Sequence, residues 1–162
     1  MTKAKSHLPD GIRTVTPFLM LKSCIESIEW YRRVFGAEVR TIAPGPSPGS
    51  TMHAEIRIGD SSVYLADDMP MSSVKSPALL GGPSASITLY FPDCDAVYKR
   101  AVAAGATVQM PMDDMFWGDR YGVIKDPFGC VWAIATHKED LTPEEMNART
   151  REFFAKAAQQ GS

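Results

Sequence analysis

At 162 residues, 44% apolar and 22% charged, the chain has the length and composition of one globular domain with its own core. A formal net charge of −2 gives no support for nucleic acid or an anionic membrane surface as a partner. No apolar run approaches the roughly 20 residues of a membrane span. Met1–Asp10 carries lysines but no apolar core of a signal peptide, and Cys24, Cys94 and Cys130 show no C-x-x-C spacing. A reducing, cytoplasmic setting is therefore expected.

Ile12–Leu21 is β-rich, and Pro17 within it calls for an edge position or a bulge. Ser23 and Glu26 have the spacing of a capping box. Ile25, Ile28, Tyr31, Arg32 and Phe35 follow at helical spacing, and Gly36 suits the helix end. A short strand is predicted over Ala37–Ile42, followed by an irregular loop, Ala43–Ser50 (APGPSPGS). In Thr51–Ile58, Met52, Ala54, Ile56 and Ile58 alternate with His53, Glu55 and Arg57, as in a half-buried strand. Gly59-Asp60 turns the chain into Ser62–Asp67, making a hairpin. Residues 68–83, rich in Met, Ser, Pro and Gly, read as a linker.

Ser84–Phe91 reads as a strand, and Asp93–Ala104 as a helix capped by Asp93 and closed by Gly105. A short strand, Thr107–Met110, and a loop, Pro111–Met115, lead into residues 116–137. That stretch reads as two strands around the turn Asp126-Pro127-Phe128-Gly129. Thr142, Pro143 and Glu145 then open a C-terminal helix over 142–158. Its apolar stripe (Met146, Phe153, Phe154, Ala157) is expected to dock on the domain or on a second subunit.

Laid over each other, Thr14–Asp67 and Ser86–His137 run through the same elements in the same order, with Gly36-Ala37 recurring as Gly105-Ala106. The predicted fold is α+β: two βαβββ modules, 12–67 and 84–137, within a single domain. Each forms a curved mixed sheet with a helix on its convex side, so that the concave faces can line a cleft.

The modules, with the segments IEWYRRVFGAEV, AVAAGATV and DPFG-x-x-W, resemble the vicinal oxygen chelate superfamily. That superfamily includes glyoxalase I, extradiol dioxygenases, fosfomycin-resistance enzymes and bleomycin-resistance proteins. MHAEIRIGDSSVYLAD, FWGDRYGVIKDPFG and ATHKEDLTPEEM are similar to its PhnB-like branch. The resemblance implies a homodimer. It also implies a divalent metal (Zn, Ni, Mn or Fe) held by His, Glu or Gln from four strands. The matching positions fall near Thr16, Tyr64, Ser86 and Ala133. Alanine cannot ligate, and Thr, Tyr and Ser are poor replacements. No metal or other cofactor is therefore expected. Cys130 stands where the branch often has His, and reads as a small buried hydrophobe.

Other residues remain as candidates. His53 and Glu55 share a strand face and could form a base–orienter pair or half of a displaced metal site. A histidine bonded to its neighbours at the rim of a cleft is the other reading. His137 suits a structural bond to the tail. Trp117, Asp119, Arg120 and Tyr121 either hold a ligand or fix a loop through an Asp119–Arg120 ion pair. Phe18, Met20, Tyr64, Thr88 and Tyr90 share the concave parity and are either ligand lining or core. The reading that follows is a binder of a small, partly aromatic molecule. Tyr64, Tyr90 and Trp117 would stack on it, His53, Glu55 and Arg120 would orient it, and Thr88 and Tyr121 would line it. The alternative is a glyoxalase-like lyase or dioxygenase-type enzyme with a displaced metal near His53 and Glu55.

Overall fold

The computed structural model describes residues 4–83 and 85–160. Ser84, where the fifth strand was expected to begin, lies outside them. The chain divides into two compact units, one comprising the segment up to Ser84 together with Phe128–Cys130, the other the remainder. Among the described residues no helix is long and apolar enough to cross a membrane.

The first unit holds β1 (Phe18–Leu21), α1 (Cys24–Phe35), β2 (Glu38–Pro44), β3 (Thr51–Ile58), β4 (Ser61–Asp67) and α2 (Pro77–Leu80). Its sheet has the order β1-β4-β3-β2, with β1 parallel to β4 and the other pairs antiparallel. Ala54, Ile56, Val63 and Leu65 are buried on the face that meets α1, whose Ile28, Tyr31, Val34 and Phe35 are buried in turn. Each large side chain buried there stabilises the fold by about 1.5–3 kcal/mol. Gly36 adopts φ +69° and ends α1, as predicted.

Local departures have local causes. The capping box is not formed, because Ser23 makes no side-chain capping bond. Instead Cys24 N donates to Asp67 Oδ1 at 2.6 Å, and Thr51 N to Asp67 Oδ2 at 2.7 Å. Strand β1 starts only after Pro17, whose carbonyl accepts from Tyr64 N. Strand β2 extends to Pro44, into the predicted loop. Pro44 pairs with Thr51 and Ala43 with His53, so Met52 is the extra residue of a bulge and is exposed, not core. The linker contains α2, tied by Asp68, whose carboxylate accepts from Ser76 N and Oγ.

The second unit holds β5 (Ser86–Tyr90), α3 (Cys94–Ala103), β6 (Thr107–Asp114), β7 (Asp119–Lys125), β8 (Val131–His137) and α4 (Pro143–Gln160). Its order, β5-β8-β7-β6 with β5 parallel to β8, repeats the first. Ile124, Trp132 and Ile134 are fully buried on the face under α3. Tyr98 of α3 lies so close over Gly122 that an added Cβ would come within 2.8 Å of its ring. Asp93 caps α3 through Ala96 N, as predicted, and Cys94 N donates to Thr136 Oγ1 at 3.0 Å. Strand β6 passes through Pro111, where a loop was expected. It is an edge strand, so the missing N–H breaks no interior ladder. The Asp126–Gly129 turn forms with Gly129 at φ +93°. Thr142 and Glu145 close a reciprocal capping box at the start of α4. That helix touches its own unit at the loop residues Phe116, against Phe153, and Glu139, paired with Arg149, while Phe153 and Phe154 stay exposed.

Candidate functional site

Alternation along each strand sends one set of side chains toward the helix and the other onto the opposite sheet face, where Met20, Ala66, Ala133 and Ala135 are buried and Phe18, Thr88 and Tyr90 are exposed. In the first unit, Phe18, Tyr64, Glu55 and Thr41 form one row across four strands, each the register partner of the next. The Tyr64 ring meets His53 at 4.8 Å between centroids and Phe18 at 6.2 Å, both edge-to-face, and Phe18 is 50% exposed. Glu55 accepts from Ser62 Oγ at 2.9 Å. His53 and Glu55 therefore share a face as expected. Each is engaged by a different neighbour.

In the second unit the face away from α3 carries exposed Thr88, Tyr90 and His137, half-buried Tyr121, and buried Ala133, Ala135 and Asp119. Asp119 is only 5% exposed and gathers three donors. Its Oδ2 accepts from Tyr90 Oη at 3.0 Å and from Trp117 Nε1 at 3.2 Å, and its Oδ1 faces His137 Nδ1 at 2.7 Å. His137 Nε2 faces Asp140 Oδ1 at 2.9 Å, so both ring nitrogens meet carboxylates, the setting of an imidazolium. These hydrogen bonds, Asp140 first and then Asp119, raise the His137 pKa above the usual histidine value. The hydrogen bond to Asp119 likewise raises the Tyr90 pKa. Trp117 and Tyr121 pack edge-to-face at 5.4 Å.

The structure thus brings Tyr90, Trp117 and Tyr121 together, with Thr88 on the same face. Arg120 does not join them. It follows Asp119 on a strand and so points to the helix side. There its Nε and Nη2 each bond Asp95 at 3.0 Å, and Nη1 lies 3.5 Å from Asp114. The Asp119–Arg120 pair, one of the two sequence readings, is not formed; Arg120 pairs with Asp95 instead and lowers its pKa. Sequence reasoning missed Asp119 as the organiser of the aromatic group. Its partners at 90, 117 and 137 are mostly distant in sequence, and only strand register reveals them. Cys130 is buried, as expected. Burial first, and then the Asp67 charge, pushes the Cys24 thiol up to about 12, so it is no nucleophile near neutrality.

A model of the "Glyoxalase/Bleomycin resistance protein/Dioxygenase superfamily" matches residues 15–134. The chain belongs to this superfamily. This glyoxalase-superfamily member is 39% identical over 137 residues to protein Mb0911c of Mycobacterium bovis, covering 83% of this chain and 90% of that one. The TioX crystal structure from Micromonospora sp. ML1 shares its fold at a TM-score of 0.60 and 24% identity, over 80% of this chain and all of TioX. The PhnB protein from Bacillus cereus does so at 0.61 and 19%, over 76% and 99%.

The metal implied by the superfamily does not suit the residues present. In the first unit, Thr16 lies before β1 with its Oγ1 donating to Arg13 O, and the register partner of Tyr64 is Phe18. In the second, the partner of Ala133 is Thr88, with Ser86 opposite Val131. Phe18 and Ala133 have no lone pair to offer, and neutral hydroxyls are weak donors to such ions. Among the described residues no three His, Cys, Asp or Glu side chains cluster as a ligand set.

Proposed function

We propose that this superfamily member binds a small, partly aromatic molecule against the sheet faces away from its helices and makes no bond to it. The observation that carries this reading is the double use of Asp119 Oδ2, which fixes Tyr90 and Trp117 while Tyr90 as a residue stays 61% exposed. A half-exposed aromatic group already held in place loses little entropy when a planar ligand stacks on it. Phe18, His53 and Tyr64 offer a second ring cluster of the same kind, beside Glu55. The proposal includes a homodimer in the cytoplasm, in keeping with the superfamily resemblance and with three buried, unbridged cysteines.

Calorimetric titration with planar aromatic probes such as 1-naphthol tests the reading. Binding that weakens at least about tenfold in Tyr90→Ala, as for loss of a stacking anchor, supports it. Absence of binding by any such probe would refute it. So would stoichiometric Zn, Ni, Mn or Fe in chelator-free protein, lost in His53→Ala or Glu55→Ala, which would favour the lyase or dioxygenase alternative. Light scattering reads the oligomeric state.

A further inference from the structure

We infer that the molecule bound on the first unit's sheet face away from α1 is an organic cation, an aromatic ring carrying a protonated or quaternary amine. This rests on the binding reading above and names its ligand class at that face. Glu55 is the direct register partner of Tyr64, and Tyr64 is the direct partner of Phe18. A carboxylate and two aromatic rings thus stand side by side in one row, with the His53 ring 4.8 Å from that of Tyr64.

The charge in this row is unmatched. Glu55 is half-buried, forms no ion pair among the described residues, and accepts from a neutral hydroxyl, Ser62 Oγ. Arg57, two residues on along the same face, commits its Nε to Gly59 O at 3.0 Å, toward the hairpin end. A half-buried carboxylate beside aromatic rings meets an ammonium in two ways at once. The carboxylate supplies direct attraction, and the ring faces supply a cation–π contribution while covering the ligand's apolar part. An anionic ligand would meet repulsion from Glu55. A neutral one would leave the carboxylate less solvated and still unpaired.

The test is a matched series on the intact chain: phenethylamine, 2-phenylethanol and phenylacetate, which share a ring and differ in charge. Binding is followed by amide shifts of first-unit residues in NMR titrations. The amine is expected to bind about three- to thirtyfold more tightly than the alcohol, and the carboxylate most weakly. Glu55→Gln should abolish the preference. Ser62→Ala, which keeps the charge, should retain it, and Phe18→Ala should weaken all three together. Equal binding of amine and alcohol would overturn the cation assignment and leave the aromatic platform standing. No shift with any of the three would overturn the platform at this face, and the cation assignment with it.

Discussion

The phenol of Tyr90 donates to Asp119 Oδ2 at 3.0 Å, reaching from β5 to β7 across the intervening strand at Ala135. The small side chain of Ala135 leaves the way open for this contact. A bulky side chain there would stand between the two partners.

Removing the acceptor should show this. Asp119→Ala leaves a phenol, an indole N–H and an imidazole without their shared partner. It is expected to cost about 1–3 kcal/mol in urea unfolding and to loosen Trp117, seen as a red shift in fluorescence. Asp119→Asn retains an oxygen for two of the donors and should cost less. An unchanged unfolding midpoint in the alanine variant would show that the network contributes nothing to stability.

His137 gives the second unit a pH dependence with a definite sign. Its folded-state pKa is raised by Asp140 and then Asp119. The stabilisation is therefore fully present below its unfolded pKa, about 6.5, and is lost as pH rises through the folded value. The melting temperature of wild type minus that of His137→Gln should be largest in mildly acidic buffer and shrink as the solution turns alkaline. A difference that grows with pH would contradict the assignment.

Gly122 is held small by its neighbours. A Cβ there would stand 2.8 Å from the Tyr98 ring and 3.2 Å from Met112 Cα. Tyr98 is itself pinned by a hydrogen bond to Met110 O. Gly122→Ala should destabilise by about 1–3 kcal/mol through overpacking, measured by chemical denaturation. The double variant Gly122→Ala/Tyr98→Leu should recover part of the loss if the clash is the cause.

Arg120 serves as an internal control for the binding reading. Because it bonds Asp95 on the helix side, Arg120→Met should lower the melting temperature while leaving the affinity for 1-naphthol unchanged. Arg120 lowers the Asp95 pKa, so this contribution is present above the unfolded aspartate value and fades as pH falls through the folded one. A matching loss of affinity would return Arg120 to the ligand surface.

Much of the fold was legible because it rests on local chemistry. Gly36 ends α1, Asp93 caps α3, and the Thr142–Glu145 box opens α4. The repeat of patterns along the chain also announced two like modules. What was not legible depends on pairing between distant segments. Ser23 has a good cap sequence, yet the bond is made from Asp67, 43 residues away from Cys24. Met52 follows the buried parity until a bulge turns it out. At the candidate site, the parity that put Tyr64, Thr88 and Tyr90 on the faces away from the helices was readable from alternation. The buried carboxylate that joins Tyr90 to Trp117 was not, because nothing local distinguishes Asp119 from an exposed aspartate.

The two long-range helix caps have a consequence for how the chain is made. In each module the first helical N–H is taken by a side chain of the last strand, Asp67 for α1 and Thr136 for α3. A nascent chain can wind α1 as soon as it emerges, but cannot latch it until Asp67 has also left the ribosome. Synthesis from the N-terminus therefore presents each module as an unlatched intermediate up to its final strand, and a stall before that strand exposes the helix-facing apolar side chains to chaperones and proteases.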